Sequence, residues 1–199
     1  MRILELLKGQ VLTYHTYSWN TTYSKLLLRD NLHTETGVTS ESGALANNNT
    51  TYQNNNIDFI QPFKYASRFV IDGTARGNIK VKIWLEAQTN PGSVTQYVKV
   101  TPSLVAITSA GVERTLATGS TTSEMTKSTS WGDGPVSITT VFPFFIDVDN
   151  QIVIETERLL LRCNIQLKYA SLTGTVTKTI TYFTAINSQD TFVEIPVVA

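Results

Sequence analysis

The chain has 199 residues, of which 41% are hydrophobic and only 16% are charged. This length fits one large domain that can bury its own core without a disulfide or a metal. Sixteen basic and sixteen acidic residues cancel, so no net field attracts nucleic acid or an anionic membrane, and we expect neither as a partner. One cysteine and two histidines are too few for the usual Cys/His zinc site, and we expect no metal and no cofactor.

Residues 1–36 predict an N-terminal extension or arm. The segment 11–19 is rich in threonine and tyrosine and favours an extended backbone. Charged residues interrupt the apolar N-terminus, so we expect no signal peptide and synthesis in the cytoplasm. Four aromatic residues lie close together and are candidate interface residues: Tyr14, Tyr17, Trp19 and Tyr23. Residues 37–56 are polar, contain two asparagine runs and predict a long exposed loop.

The alternation of apolar and polar residues typical of strands becomes regular from residue 63. One strand is predicted to end in a turn at Asp72-Gly73, and a second covers residues 79–85. Further strands follow. Pro102 is placed at an edge, bulge or break and Pro143 at an edge or bulge, because proline lacks the ladder donor. Another turn is predicted at Asp149-Asn150.

The strongest strand pattern runs from Leu159 to Tyr169. Every second residue of this segment, starting at Leu159, is apolar. This alternation predicts a strand with one face in the core and the other mostly in solvent. That core face also explains Cys163 as an inert buried thiol. Ile152 and Ile154 have the opposite parity, so a bulge or corner is predicted at residues 155–158.

Together these segments predict an all-β fold. They give eight to ten short strands with turn signals between them, a pattern typical of a sandwich or barrel. We expect a two-layer antiparallel β-sandwich, jelly-roll-like, with an extended N-terminal arm. The predicted organisation is an arm at 1–36, a polar loop at 37–56 and a sandwich domain at 57–199.

Catalytic constellations have little support in the sequence, and we expect no enzyme and no catalytic residue. His15 and His33 lack a recognisable nucleophile partner. Asp147 and Asp149 could offer oxygen ligands to calcium, but their spacing equally describes the end of a strand and its turn. The pair Glu155 and Glu157 could serve glycoside cleavage, although a solvated corner explains it better.

Two tryptophans are candidates for binding. Trp84 shares the parity of Lys80 and Lys82, opposite the predicted core face, which favours an interface. Trp131 lies at the end of the polar segment 118–135 and could stack on a sugar.

The order of several short patterns resembles β-sandwich virion proteins of tailed bacteriophages over about residues 57–199. The matching segments are Phe63-x-Tyr65 with Phe69 and Ile71, then 77–85, 118–119, 157–162, 182–183 and 192–196. The resemblance implies a non-enzymatic virion subunit, a capsid decoration protein or a head, neck or tail component. Its expected partners are copies of itself and other virion proteins, and its expected location is the virion.

A carbohydrate-binding module is the alternative function. It would recognise a receptor or host surface through Trp131 and the 37–56 segment, and glycans would then be its partners. A glycoside-cleaving enzyme that uses Glu155 and Glu157 is a third interpretation.

Overall fold

The computed structural model describes residues 10–20, 25–29, 38–45, 51–61, 68–87, 93–130, 136–171, 176–183 and 192–198. These residues form β-strands, turns and short connections. The strands are β1 (Gln10–Asn20), β2 (Lys25–Arg29), β3 (Val38–Leu45), β4 (Gln53–Ile60), β5 (Phe69–Ala87), β6 (Ser93–Thr108), β7 (Glu113–Thr118), β8 (Met125–Ser130), β9 (Val136–Val153), β10 (Glu157–Ser171), β11 (Val176–Phe183) and β12 (Phe192–Val198).

The strands form two layers. In the first, β5 pairs with β9 along one edge and with β12 and β11 along the other. In the second, β10 lies between β4 and β6, and β6 also pairs with β7 and β8. β1 pairs with β12 and with β2, and β2 pairs with β4. The short β2–β4 ladder is parallel, whereas the other ladders are antiparallel. The predicted all-β, two-layer antiparallel sandwich is therefore confirmed.

The core lies between the inner faces of these layers, and β10 supplies its longest row. The predicted parity of β10 is confirmed, because every inward side chain of this row is fully buried: Leu159, Leu161, Cys163, Ile165, Leu167 and Tyr169. Leu160 is different. It was predicted on the mostly solvated face, but it is also fully buried, in a second cluster with Ile60, Val105 and Ile107. These three residues lie opposite or beside it on β4 and β6 and shield it from water.

The chain crosses from the first layer to the second between β9 and β10, where the corner was predicted. A turn closes when the Glu157 backbone N–H donates to the Ile154 carbonyl oxygen, 2.9 Å away. The buried Glu157 carboxylate also accepts from the Ile154 N–H at 3.1 Å and from the Arg114 guanidinium at 3.0 Å. The corner is thus fixed by one carboxylate that binds both its own turn and a strand of the second layer.

The turns predicted at Asp72-Gly73 and Asp149-Asn150 are wrong, because β5 and β9 run through both positions. Gly73 has φ of 118° and Asn150 has φ of 45°, and the register of the β5–β9 ladder shifts there. The Asn150 N–H donates to the Asp72 carboxylate at 3.3 Å. Turn-forming residues therefore make two facing irregularities in one long strand pair, where extra residues are accommodated without reversing the chain.

The predicted proline positions fit the ladders. Pro143 lies on β9, which pairs only with β5 among the described strands and is therefore an edge. Pro102 lies inside β6, in the interval between the β8 and β7 ladders. Pro196, which is not among the predicted positions, lies where the β5–β12 register shifts. In each case the missing N–H removes little from the sheet.

Two segments placed outside the sandwich by the sequence contribute strands to it. Residues 10–15 of the predicted arm pair with β12, and β1 continues into a ladder with β2. Within the predicted loop 37–56, β3 pairs with β11 along its length and β4 begins at Gln53. Polar, threonine-rich sequence can occupy a ladder at the edge of a sheet, because the backbone supplies the hydrogen bonds.

We predict that the Cys163 thiol does not react in the folded protein. Burial, with a smaller contribution from the Asp58 charge, raises the pKa of this thiol far above its ordinary value, and the thiolate is the reactive form. A chromogenic disulfide reagent at pH 8 should therefore label the chain only after denaturant is added. Labelling of the native protein at the rate of a free thiol would show that the core opens around β10.

Candidate interaction surface

The outward face of the first layer carries a row of side chains that runs across four strands. Phe145 on β9 lies opposite Arg76 on β5, Arg76 lies opposite Glu194 on β12, and Glu194 lies opposite Thr13 on β1. Because each residue belongs to the outward parity of its strand, the row faces away from the core. We name these outward residues and their immediate neighbours the Phe145 face.

An ion pair crosses the middle of this face. Arg76 Nε donates to Glu194 Oε2 at 2.6 Å. The Arg76 side chain is 67% exposed, so the pair contributes little to stability on its own. It does fix the direction of an exposed guanidinium on this face.

Two shallow grooves flank this ion pair. One has a volume of about 370 Å³ and runs over Asn78, Pro143 and Phe192. The other, of about 350 Å³, runs over Val11, Thr74 and Pro196. Arg76, Phe145 and Glu194 line both grooves. The surface therefore has an aromatic ridge and a fixed charge pair with a hollow on either side, and the hollow over Val11 and Pro196 is mostly apolar.

Large apolar side chains are exposed on this face. Phe145 is 61% exposed and Val11 is 55% exposed, with Val141 beside them on β9. Trp84 lies on the same outward parity of β5, 36% exposed, with the Lys82 ammonium 5.3 Å from its ring centroid. The sequence placed Trp84 opposite the core, which the structure confirms, and its interface role stays a prediction.

The described part of the chain does not test the other predicted site residues, and their roles stay predictions. Tyr14, Tyr17 and Trp19 lie on β1, whose backbone alone is described there. Tyr23, His33 and Trp131 lie outside the described residues. His15 lies opposite Phe192 in the β1–β12 ladder.

The carboxylates considered for catalysis or calcium have other contacts. Glu157 fixes the corner with Arg114, whereas Glu155 is exposed in the turn. Asp147 accepts a hydrogen bond from the Thr74 hydroxyl at 2.7 Å. Within the ranges that the structure describes, no three His, Cys, Asp or Glu residues are grouped to hold a metal ion. Within the same ranges, no helix is long and apolar enough to cross a membrane.

Sequence reasoning missed Phe145. Its neighbours Phe142, Phe144 and Ile146 are buried, and a dense aromatic segment suggests burial throughout. The available signal was parity. Phe142 and Phe144 lie two positions apart and face the core, so Phe145, at the next position, must face the other side of the strand.

Comparisons with known proteins support the fold alone. No protein family and no curated protein matches the chain. Among solved structures, a CocE/NonD family hydrolase from Staphylococcus aureus superposes with a TM-score of 0.50 at 10% identity over 98% of this chain. An α-amino acid ester hydrolase gives 0.49 at 9% identity over 94%. The chain spans only 38% and 36% of the lengths of these proteins. At 10% identity the likeness to the CocE/NonD family hydrolase concerns the fold alone and carries no activity to this chain.

Proposed function

We propose that this chain is a structural subunit that assembles through protein–protein contacts on the Phe145 face. The observation that carries the proposal is a phenylalanine that is 61% exposed on β9, the edge strand paired with β5. Aromatic residues and arginine are enriched at the centres of protein interfaces. Here Phe145 and Arg76 are cross-strand neighbours between two hollows that could receive side chains of a partner.

The rigidity of this face favours the same interpretation. Its residues lie on paired strands, so little backbone entropy would be lost when a partner binds. Burying one exposed phenylalanine contributes about 1.5–3 kcal/mol. Several such contacts repeated in a symmetric oligomer would hold subunits together without covalent links.

Within this class we propose a virion subunit of a tailed bacteriophage, as a capsid decoration protein or a head, neck or tail component. The sequence resemblance over residues 57–199 supports this narrower proposal, and the sandwich fold is compatible with it. Its partners would be further copies of the chain and other virion proteins. Subunits of this kind function by binding neighbouring subunits, so the Phe145 face would be the functional surface of the chain.

We predict that Phe145→Glu abolishes self-association. A carboxylate at this position would have to be desolvated in the interface, and the Arg76 guanidinium opposite it is already paired with Glu194. Sedimentation velocity over a wide range of concentration should show a wild-type oligomer and a variant monomer. The apparent association constant should fall by at least about a hundredfold, as for loss of a hot-spot side chain.

Val112→Glu is the matched control, because Val112 is 65% exposed and lies in the turn between β6 and β7, away from the Phe145 face. It should leave the oligomer unchanged. A wild-type chain that stays monomeric at high concentration and does not enter assembled particles would contradict the proposal. So would equal effects of the two substitutions in chains with the same circular dichroism.

A further inference from the structure

The outward face of the second layer carries a cluster of two tyrosines and two lysines. On β10, Lys168 lies opposite Tyr97 of β6, and Gln166 lies opposite Lys99. Tyr52 directly precedes β4 and has the outward parity of Asn54, which pairs with Gln166. Two neighbouring rows of the sheet thus bring these side chains together. We name Tyr52, Tyr97, Lys99 and Lys168 the lysine–tyrosine cluster.

Both ammonium groups lie against the same aromatic ring. The Lys99 Nζ atom is 4.2 Å from the Tyr52 ring centroid, and the Lys168 Nζ atom is 4.5 Å from it. Lys168 Nζ is also 4.7 Å from the Tyr97 ring centroid. Cation–π contacts therefore hold two flexible side chains in place, so two positive charges lie close together on a rigid surface.

These charges have no acidic counterpart among the described residues. Arg162, on the same face of β10, provides the comparison: its guanidinium binds the Asp58 carboxylate at 2.7 Å and the Glu113 carboxylate at 2.9 Å. In the described part of the chain, no carboxylate forms an ion pair with Lys99 or Lys168. Two neighbouring cations repel each other, and an oxyanion between them would remove that repulsion and form charge-assisted hydrogen bonds.

Uncharged polar side chains continue from the cluster along the same face. Asn54, Asn56, Asn164 and Gln166 form an amide strip beside it, and the Asn164 amide donates to Asn56 at 2.6 Å. Two polar atoms here, the Tyr52 hydroxyl and Asn164 Oδ1, are buried without a hydrogen-bond partner in the described structure. Such atoms gain free energy when a ligand supplies the missing partner.

From this arrangement we infer that the lysine–tyrosine cluster and the amide strip bind an acidic saccharide. The two ammonium groups bind its carboxylate or sulfate, and the amides bind its hydroxyl groups, since amides both donate and accept. A nucleic acid fits less well, because it needs a longer basic track than two lysines on a chain without net charge. The site lies on the opposite layer from the Phe145 face, so its test is independent of the assembly proposal.

Isothermal titration of the full chain with tetragalacturonic acid and with its neutral methyl ester tests the inference. The two probes share the same sugar backbone and differ in charge. The acid should bind at least about tenfold more tightly than the ester, the effect of one or two charged hydrogen bonds. Inorganic sulfate and a sulfated tetrasaccharide form the second arm, which distinguishes a sulfated ligand from a carboxylated one.

Lys168→Gln and Lys99→Gln should each weaken binding of the preferred saccharide by about fivefold or more. Lys82→Gln is the matched control, since it removes a lysine with a cation–π contact from the other layer and should change the affinity less than twofold. The inference is overturned if neither tetragalacturonic acid nor the sulfated tetrasaccharide binds, or if the charged saccharide that binds does so no more tightly than the neutral ester. It is overturned as well if the three variants behave alike. It is also overturned if sulfate alone binds as tightly as the saccharides, because the sugar would then contribute nothing.

Discussion

Gly77→Ala is expected to destabilise the chain by at least about 3 kcal/mol, the upper range for an overpacked interior position. Gly77 lies on β5, opposite Val193 of β12, and is buried. A Cβ atom there would overlap the Phe192 carbonyl oxygen and lie 2.7 Å from Phe144 Cζ. The carbonyl belongs to the neighbouring strand, so relief requires β5 and β12 to separate and not merely a change of rotamer.

Urea denaturation of the variant and the wild type measures this effect. Gly111→Ala is the control, because Gly111 has φ of 81° but nothing within 4 Å of an added Cβ atom. It should cost only about 1 kcal/mol, the strain of a left-handed alanine. Similar losses for the two variants would show that the β5–β12 approach at Gly77 is looser than the structure indicates.

The same close approach positions the Phe145 face. Arg76 and Asn78 flank Gly77 and line a groove together with Phe192. The register that puts Glu194 opposite Arg76 is set one residue away from the glycine. A residue larger than glycine would therefore disturb the ion pair and the groove together with the core, which connects the stability of the sheet to its outward surface.

The sequence was most informative where one strand face is buried and the other is polar. Along β10 the apolar row predicted both the strand and its core face, because a shift of one residue would expose the whole row. The corner at 155–158 followed from the change of parity between Ile154 and Leu159. These predictions depend on local alternation and need no knowledge of which strands are neighbours.

Predictions failed where the outcome depends on the partner strand. Asp72-Gly73 and Asp149-Asn150 have the composition of turns, but the two strands continue because each irregularity lies opposite the other. Leu160 has the parity of a solvated residue, but Ile60 and Val105 bury it from the neighbouring strands. Residues 38–45 have too few apolar side chains to indicate a strand, and their ladder with β11 supplies the hydrogen bonds.

Both candidate surfaces arise from register across distant segments. Phe145, Arg76 and Glu194 come from three strands, whereas Tyr52 precedes β4, Tyr97 lies on β6 and Lys168 lies on β10. No spacing within a single segment could reveal such groups. The tryptophans were predicted as contact residues because of their large aromatic rings, and the N-terminal aromatics because they are close in sequence. The three-dimensional clusters instead combine ordinary tyrosines, lysines and one phenylalanine.

Leu161→Ala is expected to cost about 3–5 kcal/mol of unfolding free energy, because it removes a fully buried side chain at the centre of the core. Leu161 lies between Phe59 on β4 and Leu104 on β6, both fully buried. Paired strands on both sides limit how far the backbone can relax, so much of the cavity should persist.

Gln166→Ala is the control on the outward face of the same strand and should cost less than about 1 kcal/mol. Urea midpoints at an unchanged m-value measure both losses. A loss below about 1 kcal/mol for Leu161→Ala would mean that the layers can close over the gap, and that β10 is not the rigid centre on which the neighbouring strands and the lysine–tyrosine cluster depend.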